Sequence, residues 1–181
     1  MSDTLVIHLN DPSTEFLKLV YEGKGYNVIN DGTFDDKQLL KELKSHEKII
    51  MMGHGTPTGL INPQKELYSV LSGYFINKDH IDILKEKETI SIWCWSDRFF
   101  KKYQIPGFHT GVIISETAEE QFMLGGIPLN REELLENMEF MARCFNQCID
   151  KSPKEIQSYM RKHYNRDDQV SKFNRKMMIV L

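Results

Sequence analysis

Short apolar runs alternate with longer amphipathic stretches over the first two thirds of the chain, and that alternation predicts the architecture. Thr4-Leu5-Val6-Ile7-His8-Leu9 reads as a first strand, stopped by Asn10-Asp11-Pro12. Ser13 is expected to cap a helix through Tyr21, with Phe16, Leu17, Leu19 and Val20 on its apolar side and Gly23 and Gly25 closing it. Tyr26-Asn27-Val28-Ile29 reads as a second strand. Asp31-Gly32 then turns the chain into a helix that starts at Thr33 or Asp35 and carries Leu39, Leu40 and Leu43. Lys48-Ile49-Ile50-Met51-Met52 reads as a third strand, apolar on both sides as a central strand covered by helices should be. It runs directly into Gly53-His54-Gly55-Thr56-Pro57-Thr58-Gly59.

Beyond that point Gly59-Leu60-Ile61-Asn62 can open a small hairpin, and Leu67 to Leu71 fits either strand or helix. Lys78 to Lys87 carries Ile81, Ile83 and Leu84 at helical spacing. Thr89-Ile90-Ser91-Ile92-Trp93-Cys94 is the fourth strand, with a helix from Trp95 to Tyr103, and a fifth strand spans His109 to Ser115. Glu116 to Leu129, with Gly125-Gly126 and Pro128, reads as a loop. Asn130 caps a helix from Arg131 to Ile149, and acidic residues at its start suit the helix dipole. Ser152-Pro153 opens another helix to His163. A charged tail from Asp167 ends in Met177-Met178-Ile179-Val180-Leu181, which fits a last strand. Strand, helix, strand in repetition predicts an α/β fold, a mostly parallel sheet with helices on both faces. One domain is expected over 1–181, with a sheet core in 1–129 and a helical C-terminal part in 130–181.

Composition narrows the function classes. With 40 % hydrophobic and 27 % charged residues in 181, the chain can bury a sizeable core without disulfides or metal. A net charge of -3 and the lack of a basic block argue against a dedicated nucleic-acid binder. No stretch is apolar enough to span a bilayer, and Met1-Ser2-Asp3-Thr4 is not the basic start of a signal peptide, so no membrane association and a cytoplasmic location are expected. Three irregularly spaced cysteines form no disulfide framework.

In open α/β sheets the reactive crevice lies beyond the carboxyl ends of the strands. Two reactive side chains fall at such ends: His54 just after the third strand and Cys94 at the end of the fourth. Neighbouring strands lie about 4.8 Å apart, so an imidazole and a thiol carried there can meet. A thiol becomes a strong nucleophile once ionised, and an adjacent imidazole can take its proton. Gly53 lets the strand end bend, and Gly55 can leave its backbone N–H facing the crevice as an oxyanion donor.

A strand Ile49-Ile50-Met51-Met52 ending in Gly53-His54-Gly55, then a strand Ile90-Ser91-Ile92-Trp93 ending in Cys94, resembles the caspase-like (clan CD) cysteine peptidases. Gly59-Leu60-Ile61 resembles the hairpin that follows the family's His-Gly. By topology the resemblance covers about residues 4 to 120. It implies a caspase-like three-layer sandwich, with Cys94 as nucleophile, His54 as acid and base, and Gly55 N–H as oxyanion donor. It also implies a protein or peptide substrate and no cofactor. Where the family often has a small residue before the cysteine, Trp93 stands here, and Trp95 follows. Two indoles beside the nucleophile would narrow or reshape the cleft. Asp97 beyond Cys94, and Glu116, Glu119 and Glu120 after the fifth strand, offer acidic walls for an arginine or lysine of the substrate.

Two other functions fit the same residues. One is a catalytically inactive caspase-like binding module with the pair misaligned. The other is a doubly wound domain binding a small ligand at the sheet edge, although no glycine-rich phosphate loop follows the first strand. Cys144 and Cys148, four apart on one helix, read as core positions rather than metal ligands. His8 is expected to bond locally, and His46 and His80 to lie on the surface.

Overall fold

Ile49-Ile50-Met51-Met52 is buried on both sides, and the reason is its place in the sheet. The computed structural model describes residues 3–64 and 73–181. Its strands are β1 (Thr4–His8), β2 (Asn27–Ile29), β3 (Lys48–Met52), β4 (Gly55–Thr56), β5 (Gly59–Ile61), β6 (Tyr74–Ile76), β7 (Glu88–Ile92), β8 (Gly107–Thr110) and β9 (Met178–Val180). The helices are α1 (Asp36–Ser45), α2 (Ile81–Leu84), α3 (Ser96–Tyr103), α4 (Thr117–Leu124), α5 (Arg131–Asn146), α6 (Pro153–His163) and α7 (Gln169–Lys176), with 3-10 segments at Pro12–Val20 and Lys78–His80. Six strands form one sheet in the order β2-β1-β3-β7-β8-β9. Its first five strands are parallel and β9 is antiparallel to β8.

Alternation of side chains across the pleat divides the core in two. Val6, Ile50, Met52, Ile90, Ile92 and Phe108 point into a layer built from the 3-10 segment, α5 and α6. Leu5, Ile7, Ile49 and Met51 point the other way, against Leu39 and Leu43 of α1, Leu84 of α2 and Phe99 and Phe100 of α3. The result is a three-layer α/β sandwich. Each fully buried Ile, Leu or Met contributes about 1.5–3 kcal/mol, so the doubly covered strands β1, β3 and β7 are its firmest part. The last third of the chain belongs to this core: α5 and α6 supply one layer, and β9 an edge strand of the same sheet.

Several elements differ from the sequence reading. Pro12–Val20 is a 3-10 helix, and its cap is Asp11, which accepts from Ser13 N at 2.9 Å. The expected hairpin is part of a second sheet, β4-β5-β6. The expected loop after Glu116 contains α4, started by a capping box between Glu116 and Glu119 and stopped by Gly125 at φ 68°. The fifth strand is shorter, ending at Thr110. The charged tail holds α7, whose inward side is partly polar (Ser171, Asn174), so hydrophobic periodicity does not reveal it. The stretch Leu67 to Leu71 lies outside the described residues. His46 and His80 are buried rather than superficial. His46 joins β2 to α1, accepting from Asn27 Nδ2 at 2.6 Å while its Nδ1 meets Glu42 O at 2.8 Å, and His80 Nδ1 accepts from Asn77 N. Among the described residues, no helix is long and apolar enough to cross a membrane.

Two more histidines are sealed in the core. His109 Nδ1 lies 2.6 Å from Ser91 Oγ, and its ring stacks on Phe100 at 4.0 Å. Burial pushes His109 down to about 3 and His8 down to about 4, so both are neutral when folded. An unfolded chain binds these protons near pH 6.5, which fixes the sign: the stabilisation is present above that pH and is lost as pH falls toward 4. At about 1.4 kcal/mol per pKa unit, each site removes on the order of 2–3 kcal/mol between pH 7 and pH 4. Urea unfolding at pH 7, 5.5 and 4.5 should show stability falling, with a shallower fall in His109→Gln. Equal stability at all three pH values would contradict the buried neutral state.

Candidate active site

β3 and β7 pair in parallel with Met52 opposite Ile92, and Gly53 N extends the pairing to Ile92 O at 3.2 Å. His54 and Cys94 each follow those facing residues by two, so they stand level at the carboxyl ends of adjacent strands. On its other side β3 pairs with β1, His8 opposite Met52. The ends of β1 and β3 form the topological switch point of the sheet, where α/β domains open a crevice. Gly53, at φ 137°, provides the bend.

His54 is half exposed and reaches toward the loop after β1. Its Nε2 lies 2.7 Å from Ser13 Oγ and 3.8 Å from Asp11 Oδ2, while Ser13 Oγ donates to Asp11 Oδ1 at 2.7 Å. Partial burial pushes the Asp11 carboxyl up, but two hydrogen bonds from Ser13 and the nearby His54 outweigh it and hold it below its ordinary value. Cys94 is turned toward the loop after β8, where its Sγ–H donates to Ile113 O at 3.7 Å. Burial, with a contribution from Glu119, pushes this thiol up to about 11. The thiol is therefore protonated at neutral pH. Among the described residues, no hydrogen bond joins His54 to Cys94; each reactive group rests on another partner.

The turn that carries Cys94 is tightly clamped. Thr110 Oγ1 donates to Trp93 O at 2.9 Å, Trp95 N donates to Gly111 O at 3.2 Å, and Ser96 Oγ bridges Thr110 N and O. These bonds hold Trp95 in the left-handed region at φ 69°, which costs a non-glycine residue about 1–3 kcal/mol. Ile113 is fixed in turn through Ile114, whose N–H and C=O are both bonded by the buried amide of Asn174 on α7, at 2.8 and 3.1 Å. Through this contact the C-terminal third of the chain sets the carbonyl that receives the thiol.

Gly55 starts β4, and Thr56 pairs with Gly59 across a two-residue turn. With Ile61 N donating to His54 O, Gly55 occupies a non-hydrogen-bonded position of the ladder, and its N–H points away from β5. A Cβ here would lie 2.0 Å from Trp93 Cδ1, so the residue must be glycine for the indole to pack. Trp93 is 1 % exposed and belongs to the core with Phe99 and Phe100, so it does not narrow the cleft. Trp95 is half-buried, with the Arg98 guanidinium 3.7 Å over its ring. Asp97, at the start of α3, has Oδ1 buried with no partner among the described residues. Glu116 is exposed. Glu119 and Glu120 are engaged in structure rather than free as walls: Glu119 accepts from Ser115 N and Glu116 N, and buried Glu120 accepts from Leu129 N.

A groove of about 720 Å³ lies between the 3-10 segment (Ser13, Phe16) and α5 (Leu134, Met138), with Ser115 and Glu116 also in its lining, and neither His54 nor Cys94 is part of that lining. Ser13, the partner of His54, lines it directly, whereas Ile113, the partner of Cys94, lies two residues before the lining residue Ser115. Asp11, Ser13, Ile113 and Asn174 escape the sequence reading. Parallel pairing of the first and third strands would have brought Asp11 and Ser13 beside His54, whereas Asn174, far off in the chain, has no such signal. Cys148 Sγ donates to Cys144 O at 3.4 Å, both residues are buried, and among the described residues no cluster of His, Cys, Asp and Glu could hold a metal ion. No family model matches the chain, and no curated protein matches it.

Two outcomes follow from this geometry. Iodoacetamide should modify Cys94 ahead of buried Cys144 and Cys148, with a rate rising about tenfold per pH unit from pH 7 to 9.5; a plateau already at pH 7 would show a preformed thiolate instead. Asn174→Ala, which strands two buried backbone groups, should destabilise the fold by about 2–4 kcal/mol in urea unfolding.

Proposed function

We propose that the chain is a caspase-like cysteine endopeptidase, with Cys94 as nucleophile and His54 as proton acceptor and donor. One observation carries the reading: an imidazole and a thiol stand level at the carboxyl ends of two adjacent parallel strands, next to the sheet's switch point, where such domains open a crevice. His54 takes the thiol proton, and the sulfur attacks the peptide carbonyl. The resulting oxyanion is met by the N–H groups of Gly55 and Cys94. Collapse breaks the C–N bond, the departing amine receives the proton from His54, and a thioester remains on Cys94. Water, deprotonated by His54, then releases the acid and restores the thiol. For this the thiol must leave Ile113 O by rotation about its Cα–Cβ bond once substrate enters.

The substrate is a protein or peptide of the cytoplasm, with a basic side chain before the scissile bond. Support for that preference comes from Asp97, one of whose carboxylate oxygens is buried without a partner among the described residues and is an acceptor for an N–H of a basic side chain. A second reading, an inactive binding module of the same fold, is favoured by the resting state, with a protonated thiol bonded to a carbonyl and Nε2 of His54 engaged by Ser13.

A panel of peptides with Arg, Lys or Asp before the scissile bond separates the two. Cleavage after Arg or Lys, lost by about a thousandfold or more in Cys94→Ala and His54→Ala, is the expected result. Asp97→Asn should lower kcat/KM for the arginine peptide by about 10–100-fold and leave folding unchanged. Absence of cleavage, or hydrolysis unchanged in both alanine variants, would leave the binding module.

A further inference from the structure

His54 has two ring nitrogens, and its neighbours decide which one is free. We propose that Asp11 and Ser13 form a relay that fixes the proton of neutral His54 on Nε2 and presents the lone pair of Nδ1 as the working base. The inference rests on the reading of His54 as the acid and base, although the proton placement itself needs no activity.

Donors and acceptors around Ser13 leave one consistent placement of protons. Asp11 Oδ1 receives both Ser13 N at 2.9 Å and Ser13 Oγ at 2.7 Å. An ionised carboxylate only accepts, so the single hydroxyl proton of Ser13 must lie on the Asp11 side. Ser13 Oγ, 2.7 Å from His54 Nε2, then has only lone pairs to offer, and the proton between those two atoms belongs to the imidazole. A neutral ring with its proton on Nε2 has none on Nδ1, and among the described residues Nδ1 makes no hydrogen bond. The carboxyl of Asp11 lies below its ordinary value, which keeps it ionised through the neutral range.

The chain geometry supports the arrangement. Because β1 pairs with β3, the loop after β1 is held beside the bend that carries His54. Asp11 also caps the 3-10 segment, so the relay sits on a rigid element, although half of the histidine faces solvent. When His54 takes a proton on Nδ1, the imidazolium gains attraction from Asp11 Oδ2 at 3.8 Å. Asp11 and Ser13 act as positioning residues: they touch the base and not the reacting atoms. A related arrangement, in which an acid orients a histidine by bonding its far nitrogen, recurs in hydrolases, but here a serine hydroxyl is interposed.

The test reads the tautomer directly. Long-range ¹H–¹⁵N spectra of the intact protein, at a pH where His54 is neutral, should show Nε2–H alone. Ser13→Ala should give a mixture of both tautomers, and Ser13→Thr should restore the single form. Asp11→Ala removes the acceptor that holds the Ser13 hydroxyl proton and should also mix the tautomers. A wild-type proton on Nδ1, or a single tautomer unchanged in Ser13→Ala, would overturn the relay. In peptide cleavage, Ser13→Ala should lower kcat about tenfold or more with KM unchanged, and Ser13→Thr should recover it. If the tautomers behave as expected but no peptide is cleaved, the relay stands and the peptidase reading falls. If peptides are cleaved while the tautomer ignores Ser13, the peptidase reading stands and the relay falls.

Discussion

Parallel pairing of β3 with β1 on one side and β7 on the other governs where the reactive groups of this chain stand. A shift of one residue in either ladder would send every side chain of β3 to the opposite core and move His54 away from both Ser13 and Cys94. Such a slip is prevented by burial on both faces. Ile50 and Met52 are committed to one layer and Ile49 and Met51 to the other, and none can be exposed without losing the contribution of a whole buried side chain. The register is therefore held by hydrophobic packing, while the hydrogen bonds of the ladder give it direction.

The polar groups follow from that frame. Trp93 falls on the α3 side of the sheet, and Cys94 turns toward the side of α5. Thr110 and Gly111 of the neighbouring strand end secure Trp93 and Trp95, so the intervening cysteine is held from both sides. The left-handed conformation of Trp95 persists because these bonds over-determine it. His54, by contrast, hangs on a glycine bend and gains its orientation from side chains of another loop. The backbone that carries Cys94 is thus set by its neighbours' hydrogen bonds, whereas the His54 ring takes its orientation from the Ser13 side chain.

In the resting state both groups are occupied. The thiol donates to Ile113 O, and the Nε2 edge of the imidazole is held by Ser13. Burial favours the neutral thiol because an isolated thiolate in an apolar setting loses its hydration. The groove between the 3-10 segment and α5 is lined by Ser13, so an occupant would touch the residue that holds the imidazole.

Much of this was legible in the amino-acid order. Apolar runs that match strand length, separated by helical spacing and punctuated by Gly, Pro and Asn, determine the α/β class, the borders of β3 and of α6, the cap of α5 at Asn130, and the positions of His54 and Cys94 at strand ends. These are local properties, set by periodicity and capping chemistry within a few residues. Whether the thiol and imidazole touch, which loop holds each, and that Trp93 is core rather than cleft were decided only by the tertiary structure. Those outcomes depend on contacts between residues such as Ser13 and His54, Cys94 and Ile113, or Ile114 and Asn174, which lie far apart in the chain and leave no mark on local pattern. α7 belongs to the same group: its buried face is held by hydrogen bonds of Ser171 and Asn174, and a polar face carries no hydrophobic signal until its partners are in place.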